Sequence, residues 1–299
     1  MPDPTPSPIT VGIVTRNRPE SLARCLASLS ILGDRLVDAI VVDDAGTVPL
    51  DAAMACAPAG RARLIRQEGN RGPIAARNTI MREARTETVL LLDDDAALLP
   101  GGNLDAALRV FEAHPRIGSV ACAMAEVDGS AWHASMQPAP VEYTCYVTAY
   151  IGFAHLVRRS VFLGLGGYRE AFYFYGEEKD LCLRMLDAGF DVVYTPQARV
   201  IHTPDPSGRN RARYVRYAIR NDCLFALYNE PWPMAIVSVP IRLSRYFRMI
   251  RGIDDPGGFR WILSELWRAL PGVRAGRRPV TWATVRQWRR LGRSWPAFA

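Results

Sequence analysis

No two of the six cysteines (25, 56, 122, 145, 182 and 223) stand at CxxC spacing, and most sit within apolar segments. That argues against a disulfide framework or a zinc site and for reduced, buried thiols in a cytoplasmic protein. Long apolar runs are missing too. The longest near the end, Pro233 to Leu243, is far short of the roughly 20 residues a membrane span needs. The start of the chain lacks the basic-then-apolar order of a signal peptide. It is Pro-rich instead, and residues 1–7 are expected to be a short disordered lead. A Gly-rich, basic phosphate loop of the kinase type is absent, which leaves an ATP-driven kinase without support. Low-complexity segments are absent as well. With 49% apolar and 22% charged residues, 299 residues describe a folded chain with a substantial core.

Lysine is nearly missing: Lys179 is the one basic residue that is not arginine. The arginines are unevenly spread. Residues 1–204 hold 19 basic against 24 acidic residues, a balance of −5. Residues 205–299 hold 18 arginines against six acids, a balance of +12. The net charge of +7 therefore belongs to a C-terminal region that is read separately.

The most informative stretch is Thr88 to Asp95, an apolar run that opens onto three consecutive carboxylates. Such a run reads as a strand buried on both faces of a parallel sheet. Three acids at its carboxyl end would repel one another without a cation, and that edge is where open α/β sheets bind ligands. A divalent ion held by oxygen ligands and completed by phosphates is the economical reading. In an extended chain Asp93 and Asp95 point to one side and Asp94 to the other. Carboxylate and phosphate oxygens suit a hard ion, Mg²⁺ or Mn²⁺.

Before this strand come three others: Ile9 to Thr15, Ala39 to Val42 ending on Asp43-Asp44, and the shorter Arg63 to Arg66. Helical spacing starts at Pro19 and again near Pro73, each in a first turn. The alternation predicts a right-handed, parallel α/β sheet. Further on, the sequence predicts a helix from Pro100 to about His114 and a strand over Ile117 to Met124. The segment Val141 to Val157 reads as β-rich. A helix after Gly176 would close on Gly189. Two strands, Phe190 to Tyr194 and Ala198 to Ile201, would end at His202.

Six motifs in this order resemble the family 2 glycosyltransferases. They are Thr15-Arg16-Asn17-Arg18-Pro19, Val42-Asp43-Asp44, Asn70-Arg71-Gly72 with Ala76-Arg77-Asn78, Asp93-Asp94-Asp95, Gly166-Gly167-Tyr168 leading to Gly176-Glu177-Glu178-Lys179-Asp180-Leu181, and His202. The resemblance covers roughly residues 8 to 204 and, with the extension, is greatest to bacterial rhamnosyltransferase-type members. It implies a GT-A fold: a mostly parallel central sheet flanked by helices, with a nucleotide-binding half over 8–95 and an acceptor half over 96–204. Residues 205–299 would form a helical C-terminal extension. Two positions depart from the family pattern: Asp is usual where Glu178 stands, and an acid where Arg169 stands.

The resemblance implies inverting transfer from a nucleotide sugar, and assigns roles residue by residue. Asp93 and Asp95 would hold the metal, with His202 as a third contact to metal or diphosphate. Asp43 would accept the pyrimidine N3–H, so the donor would carry UDP or dTDP. Thr15 and Asn17 would line the base pocket, Arg71 would pair with base or phosphate, and Asp94 would meet sugar or ribose. Asn78 is a further nucleotide-binding candidate, although it and Arg77 lie on a helix and are read equally well as structural. Glu178 would be the catalytic base, kept ionised by a helix N-terminus, with Glu177 as the alternative. Asp180 reads as structural or acceptor-orienting.

In the tail, Arg209, Arg211, Arg213, Arg216 and Arg220 interleave with Tyr214 and Tyr217, and Arg242, Arg245, Arg248 and Arg251 follow near several tryptophans. Ile241 to Ile250 reads as a basic amphipathic helix suited to an anionic membrane surface, an acidic carrier protein or packing on the catalytic domain. No nucleic-acid module is visible, so no nucleic-acid partner is expected. The acceptor would be a small, lipid-linked or carrier-bound hydroxyl or amine. Two other readings compete: a sugar-1-phosphate nucleotidyltransferase, and a non-catalytic module that uses the basic tail.

Overall fold

A computed structural model describes residues 7–204 and 210–298. Residues 1–6 of the expected lead and Arg209 lie outside the described residues. The first half alternates strand and helix: β1 (Ile9–Thr15), α1 (Pro19–Ser28), β2 (Leu36–Asp43), α2 (Asp51–Met54), β3 (Ala62–Arg66), α3 (Gly72–Glu83) and β4 (Thr88–Asp93). Proline opens α1 and α3, where its fixed φ suits a first turn and its missing N–H costs nothing. Residues Val89 to Leu92 are buried, as an apolar run between two helical layers requires. These four strands pair in parallel in the order β3-β2-β1-β4.

The second half continues the same sheet with mixed directions. It contains β5 (Ala96–Leu98), α4 (Leu104–Ala113), β6 (Ile117–Ala125), β7 (Cys145–Tyr146), β8 (Ala154–Arg158), α5 (Arg159–Gly164), α6 (Glu177–Asp187) and β9 (Asp191–His202). The order is β3-β2-β1-β4-β8-β6-β9-β5, with β7 on β9. Strands β8, β5 and β7 run against the rest, so the sheet is mostly parallel.

Three local expectations change. The β-rich segment Val141 to Val157 holds only β7 and the start of β8. The two strands expected over 190–201 are one strand with a bulge: opposite the adjacent Cys122 and Ala123 of β6 stand Thr195 and Arg199. Pro196 lies in that bulge, where its missing N–H breaks no ladder bond. Finally, β5 is a strand the sequence reading missed.

The extension forms α7 (Arg211–Asn229), α8 (Trp232–Met249), α9 (Gly258–Gly276) and α10 (Trp282–Ser294). It shares a core with the sheet. Val215, Ile219, Cys223, Ile262 and Val285 belong to the same apolar cluster as Ile74, Val89, Phe172 and Leu181. Polar ties reinforce it: the Asn221 amide donates to the carbonyls of Phe172, Phe174 and Tyr175. The chain end returns to the sheet edge, where Tyr146 N–H donates to Pro296 O and Phe298 N–H to Thr144 O, both at 2.9 Å.

Candidate active site

The site is assembled at the carboxyl ends of β1, β2 and β4. Beyond Asp93 the chain turns into β5, which pairs antiparallel with β9 so that Ala96 faces His202. This register sets the His202 ring beside Asp95, with Nε2 3.4 Å from Oδ1. Asp93, Asp95 and His202 each offer a ligand atom, all within 4.8 Å of one another. The His202 ring is held between Trp132 and Phe153, at centroid distances of 5.6 and 5.0 Å. Its Nδ1 faces Met124 Sδ at 3.3 Å, which leaves Nε2 toward the carboxylates. Two carboxylates and an imidazole, converging where Asp93 is one-third exposed, fit a hard divalent ion.

Asp94 points the other way, as period two requires. It is buried and accepts from Thr15 Oγ1 at 2.7 Å and Arg18 at 3.1 Å. Burial pushes its carboxyl up to about 6, against the opposing pull of Arg18 and Thr15. Asp94, expected at sugar or ribose, ties the end of β4 to the end of β1 through the hydroxyl of Thr15, which was expected in the base pocket.

Other expected nucleotide contacts are also engaged within the protein. Asp43 Oδ1 accepts from Gly46 N–H at 2.8 Å. Asn17, at φ 58°, accepts from Thr47 N–H at 2.6 Å and Val48 N–H at 3.2 Å. Both shape the loop after β2. The exposed Arg71 side chain pairs with Glu170 at 2.8 Å. Asp44 accepts from the N–H groups of Arg71 and Gly72 at the start of α3. Both ends of the Asn78 amide are taken by the backbone of Tyr168, at 2.8 and 2.9 Å. Asn78, a candidate for nucleotide contact, therefore pins the Gly166-Gly167-Tyr168 turn to α3.

Its neighbour Arg77 does something the sequence left open. The guanidinium, 6% exposed, reaches Asp93 at 2.6 Å and Glu177 at 2.9 Å. Burial alone would weaken its charge, yet the two carboxylates hold it firmly protonated. It joins the metal-type cluster to the acidic pair. Glu177 is 2% exposed, and its Oε2 has no hydrogen-bond partner among the described residues. Glu178 is half-buried and lies against Gly152, where a Cβ would stand 2.6 Å from Oε1. Burial raises both glutamates above the usual carboxylate range; the charge of Glu178 lifts Glu177 further, a hydrogen bond with Glu177 lowers Glu178, and Arg77 only partly offsets the rise in each. The helix N-terminus was expected to keep Glu178 readily ionised; burial outweighs it. Asp180 is fully buried and bound by Arg169, Arg184 and Asn229, so it locks α6 to the preceding turn and to α7. Arg169, where the family usually has an acid, is thus a partner of Asp180.

Residues 10–163 match the profile described as "Glycosyl transferase family 2". Among curated relatives, the pre-mycofactocin glycosyltransferase of Mycobacterium tuberculosis is 30% identical over 211 residues, covering 67% of this chain and 43% of that protein. The chain thus spans less than half the length of that relative. The N-acetylglucosaminyl-diphospho-decaprenol L-rhamnosyltransferase of the same organism is 28% identical over 249 residues, 69% of this chain and 80% of that one. A mannosyltransferase from Pyrobaculum calidifontis, solved with GDP-Man and Mn²⁺, is similar with a TM-score of 0.60 and 17% identity, covering 98% of this chain and 89% of that one. Residues 1–349 of S. aureus TarS, solved with UDP-GlcNAc, are similar with a TM-score of 0.60 and 16% identity, covering 90% and 84%. The sheet with its surrounding helices is the GT-A fold. With the profile match spanning β1 to α5, the chain belongs to glycosyltransferase family 2.

Proposed function

We propose that the protein transfers a sugar, with inversion, from a pyrimidine nucleotide sugar to a hydroxyl or amine of a small, lipid-linked or carrier-bound acceptor. The observation that carries this reading is the convergence of Asp93, Asp95 and His202, joined through Arg77 to Glu177 and Glu178. Asp93, Asp95 and His202 would hold Mn²⁺ or Mg²⁺, which when bound neutralises charge on the leaving diphosphate. Asp43 would accept a pyrimidine N3–H, and Arg71 would leave Glu170 to meet the nucleotide.

In this reading Glu178 takes the acceptor proton. Arg77 orients Glu177 beside it, and the proton rests on the glutamate pair after transfer. In-line inversion needs acceptor, anomeric carbon and diphosphate aligned, and alignment of bound groups is itself a large part of the acceleration. The family match leaves a nucleotidyltransferase without support, and the intact acidic clusters argue against a non-catalytic module.

The test is calorimetry with UDP, dTDP and GDP, each with and without Mn²⁺. UDP or dTDP is expected to bind more tightly with the ion, and Asp95→Asn to remove that increment together with turnover. Nucleotide binding indifferent to both EDTA and the substitution would refute the metal assignment, and a clear preference for GDP would refute the pyrimidine reading.

A further inference from the structure

The balance of +12 in the extension is not spread evenly over its surface. The acids already counted in that balance sit against particular arginines: Arg216 pairs with Asp255, Arg242 with Glu230 and Asp222, Arg245 with Asp222, and Arg268 with Glu265, so the excess lies on the others. Arg242 and Arg245, which the sequence suggested for membrane contact, are thus already paired.

On α10 the situation differs. Thr284, Val285 and Leu291 are buried, and Asp187 caps the helix through the Thr281 N–H and the Thr284 hydroxyl. The opposite side carries Arg286, Arg289, Arg290 and Arg293, all exposed. At 3.6 residues per turn they share, with the exposed Trp282, an arc of about 100°. None of the four has a carboxylate partner among the described residues, and the Arg289 guanidinium lies 3.8 Å from Met234 Sδ.

Beside this arc runs an uncovered apolar face. Trp232, Ile236, Val237 and Ile241 of α8 are 55, 67, 61 and 54% exposed. At 3.6 residues per turn they spread over about 180° of the helix, the half away from the buried Ala235 and Tyr246. The two faces meet at Ile241, which with Arg289 lines the groove between α8 and α10.

Each face alone would suit several partners, but together they narrow the choice. Four guanidinium groups without counter-charges call for a polyanion, and adjacent exposed Ile and Val call for hydrocarbon. Nucleic acid offers phosphate and no hydrocarbon for Ile236 and Val237. A second copy would set arginines against arginines. No helix among the described residues is long and apolar enough to cross a membrane, so contact with lipid would lie along the surface. We propose that the α8–α10 face docks the protein on an anionic bilayer. The α10 arginines meet headgroup phosphates, the α8 side chains enter the acyl boundary, and Trp232 and Trp282 sit at headgroup depth. This docking is independent of the transfer chemistry and is measured without any sugar donor.

The experiment is co-sedimentation of the full chain with phosphatidylcholine vesicles, with and without phosphatidylglycerol, over a range of salt. Binding is expected only with phosphatidylglycerol, weakening as salt rises. The triple variant Arg286→Gln, Arg290→Gln, Arg293→Gln should lose about 100-fold in partitioning, roughly five-fold per arginine, with melting temperature unchanged because these side chains are exposed. The triple Arg→Lys variant should retain binding. Ile236→Asp with Ile241→Asp should reduce binding at every salt concentration. Equal binding to neutral and anionic vesicles, or an unaffected Gln triple, would overturn the proposal. So would capture by immobilised polyglutamate without vesicle binding, which points to an acidic protein surface. A dimer dissociated by the Ile236→Asp, Ile241→Asp pair would point to a second copy instead.

Discussion

Arg77 shows how much one buried guanidinium can organise. It stands between Asp93 and Glu177, so the charges of the metal-type cluster and of the acidic pair are balanced by the same group. Glu177 and Glu178 are adjacent, and the charge of Glu178 raises Glu177, so their titration steps belong to both. Because burial lifts the pair and a general base works only when ionised, kcat/KM should fall on the acid side at a pH above that of an ordinary glutamate. Glu178→Gln should lower turnover by about 10²–10⁴-fold, with nucleotide binding nearly unchanged by calorimetry. If Glu177→Gln proves the severe substitution and Glu178→Gln the mild one, the roles of the two residues are exchanged.

At the scale of elements, three pieces of backbone position the chemistry. The β5–β9 pairing brings His202 beside Asp95, the bulge opposite Cys122 and Ala123 of β6 sets where β9 ends, and the loop before β8 passes close to α6. Gly152 marks that close approach: an added Cβ would meet Glu178 Oε1 at 2.6 Å and Arg77 at 3.2 Å. Gly152→Ala should therefore displace the carboxylate of the proposed base. Activity should drop at least ten-fold, since misplacement of about 1 Å can cost about 10²-fold, while the loss of melting temperature stays small. A large loss of stability with kcat preserved in the surviving protein would show that the glycine serves the fold and not the base.

For the whole molecule, the basic extension is part of the core and not an appendage. Asn229, fully buried, donates to Asp180 at 2.7 Å and to Phe225 O at 3.0 Å and accepts from Arg169. Asn229→Ala would leave the buried Asp180 carboxylate one donor short, a cost of about 1–3 kcal/mol. The urea midpoint should fall accordingly, and fluorescence and circular dichroism should still report one coincident transition. Two separated transitions in the wild-type chain would mean that the helices and the sheet fold independently. Truncating the tail is, for the same reason, a poor probe of surface docking, and point variants on α8 and α10 replace it.

What the sequence determined by itself was whatever is written in short-range pattern. Apolar runs gave β1, β2 and β4; Pro19 and Pro73 opened their helices; period two separated Asp94 from Asp93 and Asp95. The ordered motifs carried the family, which the profile match over residues 10–163 bears out. The tertiary structure decided what depends on partners far along the chain. Asn78 and Arg77 are neighbours on one helix, yet one clasps the backbone of Tyr168 and the other bridges two carboxylates. β5 is three residues long, too short for a periodic signal, and exists because β9 offers it a ladder. The arginines of the extension look alike in sequence. Whether each is neutralised depends on carboxylates that can lie 45 positions away, as Glu265 does from Arg220, and charge pairing is a matter of distance in space.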